Sequence, residues 1–120
     1  MLKEIKTNSQ HYSVDENGLK QGEYKYFHNG QLWEHSFYLN DNLHGDYKVY
    51  HKNGQLWVHS FYQNGKLHGE YKTYHINGKL DYATFFYQDI DLDVNPDSLT
   101  EQDKTYILLS GRLPPRDWTC

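Results

Sequence analysis

The decapeptide NGQLWEHSFY, starting at Asn29, returns as NGQLWVHSFY from Asn53, with Glu34 against Val58 as the difference. A near-verbatim copy at a spacing of 24 residues constrains the fold more than any other feature. Each copy must adopt the same local structure and stack on its neighbour, as repeat architectures do. Three units can be laid over one another: Gly22–His44, Gly45–His68, and one that starts at Gly69 and decays after Leu80. A half unit precedes them at Glu16, and the first unit is one residue short before its Asn-Gly.

Each unit carries two turn signals. One is Asn29-Gly30, Asn53-Gly54 and Asn77-Gly78; the other is Asn17-Gly18, Asn40-Asp41 and Asn64-Gly65. Asn and Gly tolerate positive φ, and the resulting turn matches the twist of a hairpin. Between the turns lie runs rich in Tyr, Phe, Trp and Val, which suit a pleated surface. The pattern predicts seven strands: His11–Val14, Glu23–His28, Gln31–Leu39, Asp46–His51, Gln55–Gln63, Glu70–Ile76 and Lys79–Gln88. The one-residue difference between units fits a two-residue loop at Asn29-Gly30 and a three-residue loop with a Gly bulge at Lys52-Asn53-Gly54. His28 then faces Gln31 and His51 faces Gln55. Continued outward, this register pairs Tyr24 with His35, Tyr26 with Trp33, Tyr47 with His59 and Val49 with Trp57.

Period-two alternation then puts Tyr24, Tyr26, Trp33, His35, Phe37, Tyr47, Trp57, His59, Phe61 and Tyr71 on one face, with Val49. Lys25, Phe27, Leu32, Tyr38, Lys48, Tyr50, Val58, Tyr62, Lys72 and Phe86 fall on the other. Neither face is plainly polar. The chain has 120 residues, too few for a second sheet, so the expected fold is all-β: a single-layer antiparallel meander. Residues 1–15 form an N-terminal arm and first strand, 16–88 the repeat sheet, and 89–120 an acidic edge segment, a capping helix and an extended tail.

Composition fits a thin, half-wet core. Hydrophobic residues make up 37% of the chain and aromatics 17%, and twelve of the latter are tyrosines, which bury a ring while keeping a hydroxyl for water or a partner. The net charge of −4 weighs against a phosphate-backbone or anionic-membrane partner, both of which want clustered Lys and Arg. One cysteine, Cys120, fits a reducing compartment. No apolar run approaches the roughly 20 residues of a membrane span, and MLKEIKTNSQ has no apolar stretch like a signal peptide. A cytoplasmic protein is expected.

The order Gly, acidic residue, Tyr, then Asn-Gly-x-Leu, then aromatic-Tyr and Asn-Gly-Lys-Leu-His-Gly resembles the MORN repeat over about Asn17 to Leu80. It is most similar to the variant class of bacterial antitoxin-like proteins and of large DNA viruses of protists. The resemblance implies an elongated stack of hairpins that serves as a protein-binding, dimerisation or membrane-proximal scaffold, without a catalytic residue. The wording of the repeats implies a viral protein acting in the host cytoplasm, with an antitoxin-like inhibitor as the alternative. The classical family's extra glycines are sparse here, which argues against lipid binding.

Beyond Tyr87 the composition changes. Asp89, Asp91 and Asp93 match the start of a calcium loop, but Val94 stands where its Gly belongs and Thr100 where its Glu belongs. An extended edge segment, apolar side in and acid side out, is the expectation. Ser98 and Glu101 form a capping box for a helix over about Leu99–Leu109 that ends at Gly111, with Tyr106–Leu109 covering one end or face of the sheet. Trp118 is a candidate anchor in the tail.

The eight histidines invite a metal reading. Equivalent ones sit two strands apart, roughly 9.6 Å on sheet spacing, too far to share a zinc ion, so neither metal nor cofactor is expected. No GxSxG, phosphate loop or HExxH occurs, and Glu23, Asp46 and Glu70 are a repeated set rather than an acid and a base in different environments. Lys25, Lys48 and Lys72 among aromatics could serve single-stranded nucleic acid, but neighbouring acids cancel their field. What remains is a non-enzymatic protein-binding scaffold whose aromatic face meets a partner, a second copy or a foreign protein.

Overall fold

A computed structural model describes residues 1–115; Trp118 and Cys120 lie outside the described residues. Nine strands form one antiparallel sheet in sequence order: β1 Lys3–Lys6, β2 Gln10–Val14, β3 Gly22–His28, β4 Gln31–Leu39, β5 Asn42–Tyr50, β6 Leu56–Gln63, β7 Lys66–Tyr74, β8 Leu80–Tyr87 and β9 Ile90–Asp91. A short 3-10 turn, Pro96–Ser98, and one helix, α1 Glu101–Ser110, follow. The molecule measures 54 × 37 × 19 Å, so the all-β single-layer meander with a helical cap is the observed architecture.

The loops have the chemistry that the sequence specifies. Asn29 and Gly30 both take left-handed φ, 50° and 78°, and His28 pairs with Gln31 across a two-residue turn. At the next unit the His51 amide donates to the Gln55 carbonyl at 2.8 Å and Gly54 to His51 at 2.9 Å, closing the three-residue loop. His75 and Lys79 repeat it, and Asp15 and Leu19 do the same at Asn17-Gly18. Of the second series, Asn17-Gly18 has positive φ at Gly18 alone, whereas Asn40-Asp41 and Asn64-Gly65 are of the tight type, as is Gln88-Asp89, with positive φ at both positions. The last of these carries no Asn-Gly signal, so the sheet runs one hairpin further than expected.

The register departs from expectation one step beyond each loop. Phe27 pairs with Leu32 but Tyr26 with Glu34, leaving Trp33 as an extra residue. Trp57 is the extra residue between the Tyr50–Leu56 and Val49–Val58 pairs, and Asp81 between Tyr74–Leu80 and Thr73–Tyr82. A bulge moves every later side chain by one place. Tyr24 therefore faces Ser36 rather than His35, and Tyr47 faces Ser60 rather than His59. A second irregularity recurs where Phe37 and Phe61 oppose the stretches around Gly45 and Gly69. There φ is +108° and +121°, and a Cβ would stand 3.7 Å and 3.5 Å from the Cβ of Phe37 and of Phe61. Glycine permits both the φ and the approach. These glycines read as breaks in sequence, yet β5 and β7 run through them.

Adjacent hairpins are tied at their turns. The amides of Asp41, Gly65 and Asp89 donate to the carbonyls of Lys20, Leu43 and Leu67 at 3.0, 2.8 and 2.8 Å. Beside them, Gln21 Oε1 accepts from the Asn40 amide, His44 Nδ1 from Asn64 and His68 Nδ1 from Gln88. His44 and His68 thus clamp turns, a role that their spacing did not reveal.

The helix begins two residues later than expected. Thr100 and Asp103 make the capping box, each bonding the other's backbone amide at 3.0 Å. Ser98 is diverted, its hydroxyl donating to the Asn95 carbonyl at 2.6 Å. Gly111 ends the helix in left-handed conformation, as its position predicted. α1 packs against β7, with Phe85 and Ile107 almost fully buried, while Leu109 remains exposed. The edge strand β9 is short and its Ile90 is exposed, against expectation, whereas Leu92 and Val94 are half-buried and Asp89, Asp91 and Asp93 exposed, as the apolar-in, acid-out pattern predicts. Asp91 also accepts from the buried Thr84 hydroxyl at 2.6 Å and from the Asp93 amide at 2.8 Å.

Candidate interaction surfaces

The bulges divide the ten residues expected on one face. Directly paired residues share a side of the sheet. Tyr24, Ser36, Tyr47, Ser60, Tyr71 and Thr84 pair in succession across six strands and stand together on one side. Tyr26 is two places from Tyr24 and joins them. Trp33 and Trp57 meet the sheet at the bulges, each with its ring against the preceding histidine, His28 at 4.3 Å and His51 at 4.9 Å. His35, Phe37, His59 and Phe61 alternate with that row and lie on the opposite side. Tyr38, Val58, Tyr62 and Phe86 move the other way, onto the tyrosine side.

On the tyrosine side the rings pair once per unit. Tyr24–Tyr38, Tyr47–Tyr62 and Tyr71–Phe86 meet edge to face at 5.6, 5.3 and 5.5 Å. Ser36, Ser60 and Thr84 lie buried between the rings; their small side chains leave room for the tyrosines opposite. Burial, helped by the Glu34 charge, pushes the Tyr47 hydroxyl up to about 12. Burial also raises the Glu34 carboxyl, though the Ser36 hydroxyl and Lys20 pull it back. At the N-terminal end the Lys20 ammonium sits 5.0–5.4 Å from the rings of Tyr12, Tyr24 and Tyr38, within cation–π range.

The one residue that differs in the duplicated decapeptide has a structural consequence. The Ser36 hydroxyl donates to Glu34 at 3.2 Å. Val58 replaces Glu34 in the next unit, and the buried Ser60 hydroxyl is without a partner among the described residues. In the third unit Thr84 finds Asp91.

The opposite side is charged and partly covered. Glu23 meets His35 at 2.7 Å, and Asp46 lies 3.6 Å from His59, beyond a hydrogen bond. In the third unit Ala83 stands at the histidine position, and Glu70 pairs instead with Lys104 of α1 at 3.2 Å. A cavity of about 300 Å³ between helix and sheet is lined by Phe61, Gly69, Phe85, Thr105 and Leu108. Among the described residues no group of three or more His, Cys, Asp or Glu is placed to hold a metal ion. No described helix is long and apolar enough to cross a membrane.

Comparison with known proteins bears on the repeats. Residues 43–64 and 67–89 each match the model of the MORN repeat variant. No curated protein matches the chain. Among solved structures, "Crystal Structure of TarM" shares 13% identity over 74% of this chain and 20% of that one, with a TM-score of 0.41. A mutant TarM of S. aureus, solved with Fondaparinux, alpha-GlcNAc-glycerol and UDP, shares 11% over 71% and 20%, with a TM-score of 0.42. The chain spans about a fifth of the length of those two chains.

Proposed function

We propose that this chain, with two units matching the MORN repeat variant, is a non-enzymatic protein-binding scaffold that engages its partner through the tyrosine side of the sheet. Repeats of this type are generally protein- or membrane-interaction modules and typically lack catalysis. One observation carries the reading. An aromatic pair recurs in each of three units on a side that no described element covers, whereas α1 covers the end of the other. Tyrosine and tryptophan give large contact area at low entropy cost and are enriched at interfaces. Tyr26, Trp33 and Trp57 supply the accessible rings, Trp57 being 49% exposed. Tyr24, Tyr47 and Tyr71 form a packed row beside them, farther from the Asn-Gly turns. The 54 × 37 Å outline accommodates the roughly 800 Å² per partner of a specific interface.

The partner is a second copy or a foreign protein, and sedimentation separates these. A dimer at tens of micromolar that Trp57→Glu dissociates supports self-association. A monomer that recovers a protein from its native source, with recovery lost in Trp57→Glu, supports a foreign partner. A strict monomer that recovers nothing refutes the reading.

A further inference from the structure

The side opposite the tyrosines carries a row that follows from the corrected register. Lys25 pairs with His35, His35 with Lys48, Lys48 with His59 and His59 with Lys72. Five consecutive strands thus place a basic residue type at the same height, about 19 Å end to end on sheet spacing. His11 and Lys6 continue the row across β2 and β1. Like residues directly opposite one another repel when charged, so such a row needs acids nearby. Glu23, Asp46 and Glu70 supply them from the same side.

The three lysines differ in how far they are matched. Lys72 has two acidic partners: Glu70 at 3.5 Å and Asp97 at 2.9 Å. Asp97 comes from the segment that crosses back over the sheet toward α1. Lys25 has Glu23 at 3.9 Å. Lys48 has no ion pair among the described residues, although it is only part-exposed and stands between His35 and His59. The chain's own C-terminal segment therefore fills one rung of the row with a carboxylate and leaves the equivalent rungs open.

We infer that this row binds an acidic polypeptide segment of a partner, laid across the strands with carboxylates on Lys48 and Lys25 as Asp97 lies on Lys72. This rests on the reading of the chain as a protein-binding module, but uses the other side of the sheet. The spacing selects the ligand. Equivalent lysines are two strands, about 9.6 Å, apart. A peptide in the polyproline II conformation rises about 3.1 Å per residue with three residues per turn, so acids at every third residue project from one side and fall on successive lysines. A nucleic-acid strand carries a charge on every residue and sets some of them against Glu23, Asp46 or Glu70. Sparse carboxylates avoid those acids, which is why a polypeptide fits better.

The test uses a fluorescein-labelled peptide of four Asp-Gly-Ser repeats, a control of the same composition with its aspartates clustered, labelled oligo(dT), and vesicles containing phosphatidylserine. The spaced peptide is expected to bind the full chain at low salt, at least fivefold tighter than the control, and to weaken as salt rises. Lys48→Gln, with its fold checked by circular dichroism, should weaken binding about tenfold, and Lys25→Gln less. Trp57→Glu should leave peptide binding unchanged, which separates failure here from failure of the tyrosine-side proposal. Equal binding of spaced and clustered peptides, tighter binding of oligo(dT) or of the vesicles, or no peptide binding would each overturn the inference.

Discussion

Removing a hydroxyl from the interior of this sheet should have opposite effects in adjacent repeats. Ser36 and Ser60 are equivalent, 0% and 1% exposed, and each faces a tyrosine on either side. Ser36 donates to Glu34, whereas Ser60 has no partner among the described residues. A buried hydroxyl without a partner costs about 1–3 kcal/mol, while a made hydrogen bond contributes about 1 kcal/mol net. Ser60→Ala removes the unpaired oxygen and one atom's volume, so it should stabilise the fold by about 1 kcal/mol. Ser36→Ala strips a half-buried carboxylate of its donor and should destabilise by about 1–2 kcal/mol. For a domain of this size the shifts are roughly +4 °C and −4 to −8 °C in Tm. The sites are about 9.6 Å apart on strand spacing but share Tyr47 between them, so the double variant should depart from simple additivity. Thermal denaturation followed by circular dichroism gives the answer. If Ser60→Ala lowers Tm as Ser36→Ala does, the two hydroxyls are equally satisfied and the role assigned to Val58 is wrong.

Two further outcomes concern the clamp and the cap. Burial lowers the pKa of His68, so the folded state binds fewer protons than the unfolded one as pH falls through about 6.5 and below. Protonation also removes the Nδ1 acceptor for the Gln88 amide. Stability should therefore drop with pH in that window, and His68→Gln, which copies Gln21 of the first unit, should reduce the slope in a Tm-versus-pH series. An unchanged slope would remove His68 as its source. Gly111→Ala should lower Tm by several degrees, because a Cβ would stand 2.8 Å from the Tyr87 ring and φ there is +74°; a shift within about 1 °C would contradict that crowding.

Residue types that encode backbone conformation were readable in the sequence, and features that encode only geometry were not. Asn29-Gly30 and Lys52-Asn53-Gly54 announce turns, because few residues tolerate the positive φ of Asn29, Gly30 and Gly54, and the extra residue of the second unit sets its longer loop. Gly111 announces the helix end for the same reason. The bulges at Trp33 and Trp57 leave no such mark: a tryptophan suits a regular strand equally well. One unseen extra residue was enough to carry His35, Phe37, His59 and Phe61 to the other side. The helix start was ambiguous because Ser98–Glu101 and Thr100–Asp103 both fit a capping pattern, and the Asn95 turn decided between them. β1 escaped notice because KEIK is a charged edge strand with a single apolar residue. The basic row could be found only after the register was corrected, since it is a property of pairing and not of spacing along the chain.

The turn-to-turn bonds have a consequence for how such a molecule can change length. Asp41, Gly65 and Asp89 each reach back to the previous hairpin through the same backbone contact, so no link is unique to a given position. Duplicating twenty-four codons would insert two strands and extend the slab by about 10 Å, with both terminal edges and every existing seam preserved. Reach can then evolve by copy number alone, leaving each module's interior chemistry untouched.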